Sequence, residues 1–259
     1  MFRIRKNIIS AAIICMAVLP VTATARGLQN GNDDNGLTYD IRLGYNLGGD
    51  APTSLPNTIR HLNSYKIQPS IQLAIEGEKK LSDNWGLMSG IRLENKGMKT
   101  DARVKNYYMD ITRGGQELDG MFTGDVTTKV RQWMLTLPVE ATWHCTRNVR
   151  LHAGPYVSWV FSHHFTGFAH DGWLRVGNPT GAKVDLGHSA SERGNYDFSD
   201  DMRHIQYGVG GGADWFVMDH FGIGAALSWG LTGVFHSSFK TVTFTMYPIF
   251  GNISLIYKM

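Results

Sequence analysis

Hydrophobic and polar residues alternate with a period of two along most of this chain. Between Leu37 and Leu47 the odd-numbered positions carry Leu, Tyr or Ile, and the even-numbered positions carry Thr, Asp, Arg, Gly and Asn. Successive side chains of a β-strand point to opposite faces, so this segment predicts a strand with one apolar and one polar face. Seven further segments repeat the pattern, at residues 67–79, 85–96, 130–143, 149–165, 205–217, 221–231 and 241–259.

The segments between these predicted strands alternate between long and short. The long ones are 48–66, 97–128, 166–203 and 232–240, and the short ones are 80–84, 145–148 and 218–220. Outer-membrane barrels combine short periplasmic turns with longer external loops in this way. The pattern therefore predicts an all-β fold, an eight-stranded antiparallel up-and-down transmembrane β-barrel with both termini in the periplasm. The alternative, a soluble β-sandwich or lipocalin-like barrel, would turn the same apolar residues inward around a core.

The N-terminal residues have the three parts of a secretory signal peptide. A basic start is followed by an apolar run over Ile8–Val18 and by the small residues Ala23-Thr24-Ala25. This layout predicts export and cleavage, because the apolar run is shorter than the ~20 residues that a membrane-spanning helix needs. The predicted organisation is a signal peptide (1–25), a short N-terminal periplasmic segment (26–36) and an outer-membrane barrel (37–259).

Charge and cysteine content exclude several classes of protein. The chain has 25 basic and 22 acidic residues, and removal of the predicted signal peptide takes away three basic ones and leaves 22 of each sign. This balance gives no reason to expect nucleic acid as a partner. The chain has two cysteines, Cys15 and Cys145. Cys15 leaves with the predicted signal peptide, so Cys145 would have no partner for an internal disulfide or a paired-cysteine zinc site.

The polar face of the predicted strands carries charges of both signs, which would meet in the lumen of the barrel. The residues predicted to form this polar network are Asp40, Arg42, Glu76, Arg92, Glu94, Glu140, Arg150 and Asp214. The interior of an eight-stranded barrel is just wide enough to be filled by side chains, and buried charges there need partners. We interpret the network as a salt-bridged plug; the alternative is a narrow, porin-like channel for ions or small solutes.

Aromatic residues on the apolar face lie near the ends of the predicted strands. The predicted girdle residues are Tyr39, Trp85, Trp133, Trp143, Trp215, Trp229 and Tyr257. Trp and Tyr are enriched at both membrane interfaces, where their rings lie at the level of the lipid headgroups. The sequence therefore predicts the lipid bilayer of the outer membrane as the main partner.

The predicted long loops carry aromatic side chains among glycines and charges. Tyr107, Tyr108, Trp173 and Tyr196 are the candidates for binding a ligand or a partner protein. Binding residues are often found on loops held by a rigid scaffold. We therefore expect a non-enzymatic structural or interaction protein that presents these loops outside the cell.

No catalytic, cofactor-binding or metal-ligating residue is predicted. His164-Phe165-Thr166 resembles the H-x-S arrangement of outer-membrane lipid A deacylases, with Thr in place of Ser and with His163 and Ser158 nearby in sequence. A lipid-modifying enzyme is therefore the second alternative, although a hydroxyl nucleophile needs a base within hydrogen-bond reach. A further group of residues, His170, His188 and Glu192, has ligand chemistry but no regular ligand spacing.

Four stretches of the chain also carry a family resemblance. They are Gly86–Lys99 (GLMSGIRLENKGMK), Trp133–Trp143 (WMLTLPVEATW), Val149–Phe161 (VRLHAGPYVSWVF) and Tyr207–Leu231. Over nearly all of the predicted mature chain, the sequence resembles the PorT-like outer-membrane β-barrel proteins of Bacteroidota-type bacteria. It departs from their common terminal Phe, because it ends in Tyr257-Lys258-Met259. The resemblance implies the fold and the membrane, and it permits an envelope or secretion-machine protein as a partner.

Overall fold

The computed structural model describes residues 36–52, 56–239, 241–242 and 244–259. The predicted signal peptide (1–25) and the predicted periplasmic segment (26–36), apart from Gly36, lie outside the described residues. Within the described ranges, no helix has the length and apolar character needed to cross a membrane.

Eleven strands form one sheet in the described part of the chain. They are β1 (Leu37–Pro52), β2 (Ile59–Ile67), β3 (Ile71–Lys80), β4 (Trp85–Arg113), β5 (Gln116–His144), β6 (Val149–Val176), β7 (Lys183–Leu186), β8 (Gly194–Asp197), β9 (Ile205–Phe216), β10 (Phe221–Gly230) and β11 (Met246–Lys258). A single turn of 3-10 helix, Ser199–Asp201, lies between β8 and β9. All strand pairings are antiparallel.

Eight of these strands close into a ring. The order around the ring is β1, β3, β4, β5, β6, β9, β10 and β11, which pairs with β1 again. Asp40 of β1 lies opposite Glu76 of β3 on one side and Lys258 of β11 on the other. Closure pairs the backbone groups of both edges, which a sheet in lipid requires. The prediction of an eight-stranded antiparallel barrel is confirmed.

Side chains within the ring follow the predicted alternation. On β1, Ile41 and Leu43 point outward and are exposed, whereas Asp40 and Arg42 point inward and are buried. The other seven ring strands repeat this arrangement, and their exposed apolar side chains form a continuous outer surface, the apolar belt. The belt has the character of a surface that faces hydrocarbon.

Part of the ring, above all β4, β5 and β6, continues beyond the belt at one end only, which we call the extended end. At the opposite turn end, the connections 81–84, 145–148 and 217–220 are short. β4 and β5 form a 29-residue pair of strands that is closed by Gly114 and Gly115. Both glycines have positive φ, 57° and 83°, a combination that suits a tight hairpin turn.

The apolar residues of the strands change from the outward to the inward positions at the extended end. Beyond Gly97, Met98 and Val104 of β4 point inward and are buried, while Arg103 between them is exposed. Their neighbours from β5, β6 and the 231–245 connection complete an apolar core, the outer core. Its buried members include Ile111, Phe122, Val126, Val130, Phe165, Leu174, Met202, Phe235 and Met246. At the extended end the apolar side chains are therefore inside and the polar ones outside, which is the reverse of the belt.

The predicted boundaries of the long connections are wrong. Nearly all of 97–128 and half of 166–203 is strand, and the 48–66 segment contains the end of β1 and nearly all of β2. The physical reason is that apolar and polar residues exchange positions in these strands. They present Lys, Asp, Arg and Thr outward, as a sheet in water does. An apolar face that contacts lipid is the signal for a membrane strand, and it is missing there.

Candidate functional site

The eight predicted lumen residues all lie inside the barrel at the level of the belt. Seven of them are at most 4% exposed, and the side chain of Arg92 is 13% exposed. Every second position of β1, β3, β4, β5, β6 and β9 points inward, which is why residues distant in sequence meet here. Together with Glu78, Lys96 and His152, they form the lumen network.

Arg150 and Asp214 occupy the centre of the lumen network. Arg150 donates from Nη1 to Glu78 Oε2 at 2.6 Å and from Nε to Asp214 Oδ2 at 3.0 Å, and its Nη2 is bonded to Asp40. Arg42 donates to both carboxylate oxygens of Asp214, at 2.8 and 2.7 Å. Asp214 thus binds two guanidinium groups, and such charge-assisted bonds are among the strongest in proteins.

A second set of ion pairs joins the network on the β3–β4–β5 side. Arg92 donates to Glu76 Oε1 at 2.5 Å and to Glu140 Oε2 at 2.9 Å. His152 Nδ1 lies 2.9 Å from the same Glu140 oxygen. His152 was not among the predicted network residues, although the two-residue period that places Arg150 inward places His152 inward too.

Little space remains between these side chains. The cavity among Arg42, Arg92, Glu94, Glu140 and His152 has a volume of about 30 Å³. Such a space holds a few water molecules at most. At this level the lumen is closed by side chains.

The predicted girdle residues lie mostly on the outside of the barrel. Six of the seven are exposed: Tyr39, Trp85, Trp143, Trp215, Trp229 and Tyr257. Trp85 and Trp143 stack near the turn end with ring centroids 6.2 Å apart. Trp133 is the exception, because it is only half-buried at the border of the extended end. A role of these residues in anchoring the barrel stays a prediction.

The barrel wall is open at the extended end between β1 and β2. Pairing of β1 with β3 ends at Tyr45, and β2 pairs with β4 instead, so no ladder joins β1 to β2 in the described residues. Side chains bridge this wall gap: the Tyr65 hydroxyl donates to Gly48 O, and the Asp50 N–H donates to Met98 Sδ at 3.3 Å.

Gly48 is required where β1 passes this gap. A Cβ on Gly48 would lie 2.2 Å from Ile249 O of the neighbouring β11. Its φ of 154° also lies in the region that favours glycine. The glycine lets β1 stay close to β11 while its other edge faces the gap.

Behind the wall gap lies a cavity of about 760 Å³, the outer cavity. Apolar side chains of the outer core line most of it, among them Met98, Val104 and Phe165. Leu47 and Ile67 line it as well, and both are also exposed on the outer surface of the barrel. The lining of the cavity is therefore continuous with the apolar outer surface through the gap.

Three of the four predicted loop-binding residues line the outer cavity. They are Tyr107, Tyr108 and Tyr196, whereas Trp173 is exposed elsewhere, with Lys183 Nζ 5.3 Å from its ring centroid. Tyr107 follows a bulge at Asn106, whose φ of 52° Asn tolerates better than most residues. Burial raises the pKa of Tyr107 to about 12, so its phenol is neutral.

The prediction that Tyr196 belongs to an exposed loop is wrong. Tyr196 is 7% exposed and lies on β8, which pairs with both β4 and β6. Its hydroxyl donates to Thr127 O at 3.0 Å and lies 2.6 Å from Thr128 Oγ1. Burial also raises its pKa. The residue is thus a wall of the cavity rather than a surface contact.

The structure does not bring the suspected deacylase residues into a catalytic arrangement. Ser158 is buried in the lumen and bonds with Thr136 at 2.7 Å. His163 packs edge-on against His204, with ring centroids 4.8 Å apart, and His164 is exposed. The hydrogen bond of Ser158 is therefore to a threonine, not to a histidine that could act as a base.

Two of the three histidine and acidic residues noted in the sequence do come together. His170 and His188 meet at Asp171, without Glu192, on the polar surface of the extended end. Bonds from His170 and His188 lower the pKa of Asp171. Burial raises the pKa of Asp101, but bonds from Thr127, Asn63 and His170 outweigh it and leave this pKa lowered.

A closed ring of eight antiparallel strands with an apolar outside and an ion-paired lumen defines a transmembrane β-barrel of the outer-membrane class. The chain belongs to the family described as outer membrane protein beta-barrel domain, whose family model matches residues 28–236. The outer membrane is accordingly its location, and the lipid bilayer surrounds its belt.

Similar solved structures include three outer-membrane or surface proteins. Ail, the attachment invasion locus protein of Yersinia pestis, is 10% identical with a TM-score of 0.36, covering 86% of this chain and 97% of that chain. OprG of Pseudomonas aeruginosa is 12% identical with a TM-score of 0.35, covering 86% and 96%. Neisserial surface protein A is 8% identical with a TM-score of 0.32, covering 86% and 97%. No curated protein matches the chain.

Proposed function

We propose that this protein is a non-conducting, non-enzymatic outer-membrane barrel that binds a hydrocarbon chain in its outer cavity. The observation that carries the proposal is the apolar cavity of about 760 Å³ behind the wall gap. Its volume is within the ~300–1,000 Å³ that is usual for small-molecule sites. An acyl chain that fills the cavity keeps water from its apolar lining, which is favourable by roughly 25 cal/mol per Å² of lining removed from water.

The position of the gap supports a source for this chain. Leu47 and Ile67 connect the cavity lining with the apolar outer surface, so an apolar molecule can enter sideways from the bilayer. We propose that the extended end faces outward and that the short turns face the periplasm, as is usual for outer-membrane barrels. The occupant is then an acyl chain of a lipid in the outer leaflet.

The gap needs little energy to widen. Its edges are joined by the Tyr65–Gly48 bond and by the weak Asp50–Met98 bond rather than by a ladder. A hydrogen bond of this kind contributes about 0.5–1.5 kcal/mol net. Breaking these two bonds to admit an acyl chain therefore costs only a few kcal/mol.

The filled lumen supports the absence of a channel. With about 30 Å³ free among the network side chains, hydrated ions have no continuous path at this level. Single-channel recording in planar bilayers should show no conductance steps from the wild-type protein. Reproducible steps that change when Arg92 is replaced by Ala would support the channel alternative instead.

Two finer interpretations of the sequence stay predictions. Membership of the PorT-like group and an envelope or secretion-machine partner rest on the resemblance of the sequence stretches alone. A lipid-modifying enzyme is not favoured, because Thr166 stands where the deacylases carry serine, and the hydroxyl of the nearby Ser158 bonds with Thr136 inside the lumen. Mass spectrometry of lipid A from cells with and without the protein should show the same acyl pattern.

The proposal can be tested with phosphatidylethanolamine that carries a photoactivatable diazirine in one acyl chain. The protein is reconstituted in vesicles of this lipid, irradiated and mapped by mass spectrometry. We expect adducts on inward residues of the outer cavity, such as Met98 and Val104, in addition to adducts on belt residues such as Leu43 and Leu73. Adducts confined to the belt would contradict the proposal.

A matched pair of variants sharpens this experiment. Ala102→Trp places a large ring in the outer cavity, whereas Ala153→Trp places the same ring on the exposed outside of β6. The first should remove the inward adducts and the second should leave them unchanged. Equal inward labelling in both variants would mean that the lipid chain does not occupy the cavity.

A further inference from the structure

Three potential ligand atoms lie close together on the surface of the extended end. Asp171 Oδ2 is 2.8 Å from His170 Nδ1 and 3.1 Å from His188 Nδ1, and the two nitrogens are 3.2 Å apart. Metal–nitrogen and metal–oxygen bonds of about 2.0–2.1 Å in a tetrahedral zinc site place the ligand atoms about 3.3 Å from each other. The three atoms thus form a triangle close to the size of one face of such a site.

The hydrogen-bond partners of His170 also bear on whether these three atoms can bind a cation. Its Nε2 lies 3.0 Å from Asp101 Oδ2, while its Nδ1 lies 2.8 Å from Asp171 Oδ2. A neutral imidazole carries one N–H, so it can donate to one of these carboxylates only. If Nε2–H donates to Asp101, the lone pair of Nδ1 points toward Asp171 Oδ2 and His188 Nδ1, where it can accept from His188 or bind a cation.

The backbone holds Asp171 in an uncommon conformation to make this contact. Its φ is 47°, in the left-handed region that non-glycine residues rarely adopt. The pairing of β5 with β6 is also shifted beside it, between Thr123 and Asp125. Backbone strain of this kind is concentrated at functional sites. The turn at Asp171 brings adjacent residues of one strand, His170 and Asp171, to the same point.

We propose that His170 Nδ1, Asp171 Oδ2 and His188 Nδ1 bind a divalent transition-metal ion, of which Zn²⁺ is the best fit. Two imidazoles and one carboxylate are the ligand set of many three-residue zinc sites, with an open position left for water. The side chains of Asp171 and His188 are 50% and 73% exposed, so the ion and its fourth ligand come from solvent.

Asp101 acts as a positioning residue for this site. It accepts from Thr127 Oγ1 at 2.6 Å and from Asn63 at 2.7 Å, so its carboxylate is fixed on β4 before it meets His170 Nε2. A carboxylate on the far nitrogen of a ligating histidine fixes the tautomer that offers its lone pair to the metal. The site would join β6 to the segment that follows β7, where His188 lies.

The test uses untagged, folded, detergent-solubilised protein from which metal has been removed with EDTA. Isothermal titration with Zn²⁺ should give one site per chain in the wild type. His188→Ala and Asp171→Asn should each weaken binding at least tenfold, whereas His164→Ala, which changes an exposed histidine outside the cluster, should bind as the wild type does. Heat-dependent gel migration verifies that each variant is folded.

Two further measurements separate ligands from the positioning residue. Asp101→Asn should weaken Zn²⁺ binding by roughly 10–100-fold. Bound Co²⁺ should give the intense visible absorption of a tetrahedral site in the wild type, and this absorption should be lost in His188→Ala. The proposal is overturned if the wild type binds no Zn²⁺, or if His188→Ala and Asp171→Asn bind it as tightly as His164→Ala.

Discussion

At the scale of single residues, Arg150 shows how the interior of the belt is held together. It bonds with Asp40, Glu78 and Asp214, which come from three different strands. A buried charge of this kind is tolerated because each of its partners is itself a charge in direct contact. Removal of the Arg150 guanidinium leaves these three buried carboxylates with incomplete partners.

Arg150→Met should therefore destabilise the barrel by about 3–5 kcal/mol, the usual effect of breaking a buried ion pair by removing one partner. Urea-dependent folding into lipid vesicles measures this difference. Lys183→Met is the matched control, because its pair with Asp185 is 46% and 75% exposed, and it should cost less than about 1 kcal/mol. Equal losses in the two variants would contradict a cohesive role for the lumen network.

At the scale of elements, the wall gap makes β1 two different strands in one. From Asp40 to Tyr45, β1 has ladder partners on both sides, whereas from Leu47 onward it pairs with β11 alone in the described residues. The free edge is completed by side chains, including the Tyr65 hydroxyl on Gly48 O. Such an edge opens locally at lower free energy than a paired one.

Hydrogen exchange should reveal this difference. The amide of Asp50, which donates to Met98 Sδ, should exchange faster than that of Arg42 in the doubly paired part of β1. Tyr65→Phe should accelerate exchange at Asp50 further, and Tyr257→Phe at the turn end should not. Equal exchange of the two segments would mean that the gap is as rigid as the ladder.

The sequence predicts the belt strands well and the extended end poorly. Along Leu37–Leu47 the contrast between apolar and polar positions is strong because lipid contacts one face. Along β4 beyond Gly97 the inward face carries Met98, Thr100, Ala102 and Val104, a weaker contrast of opposite phase. A period-of-two pattern with polar residues outside and apolar residues inside predicts that these strands extend beyond Gly97.

The sites at the extended end depend on relations that no local pattern contains. The outer cavity arises because β2 pairs with β4 and leaves β1 open, so its lining comes from segments far apart in sequence. The histidine cluster depends on the positive φ of Asp171, which makes neighbouring residues converge. Aromatic content did locate Tyr107 and Tyr108, although as loop residues rather than as cavity walls.

At the scale of the whole molecule, the barrel contains two interiors of opposite chemistry. Within the belt the inside is charged and filled, and at the extended end it is apolar and encloses a cavity. A charged interior suits strands whose outer face contacts lipid, and an apolar interior suits strands whose outer face contacts water. The molecule changes from one to the other near Gly97 and Val130, which lie at the boundary of the belt.

The paired strands of the extended end should protect it from proteases. Lys99 and Arg103 of β4 are trypsin sites, but both are paired with β5, opposite Lys129 and Asp125. Folded protein in detergent should resist trypsin there, whereas heat-unfolded protein should be cleaved. Rapid cleavage at Arg103 with the belt intact would mean that this part is a loop, as the sequence alone suggested.

Binding of an acyl chain in the outer cavity is tested most directly by a crystal structure of the protein grown with a phospholipid that carries bromine along one acyl chain. The anomalous signal of bromine locates the chain independently of the protein density. A lipid chain bound there gives a bromine peak in the outer cavity, between Met98 and Phe165 and behind the wall gap. Bromine peaks restricted to the outside of the belt, with the cavity free of them, would contradict it.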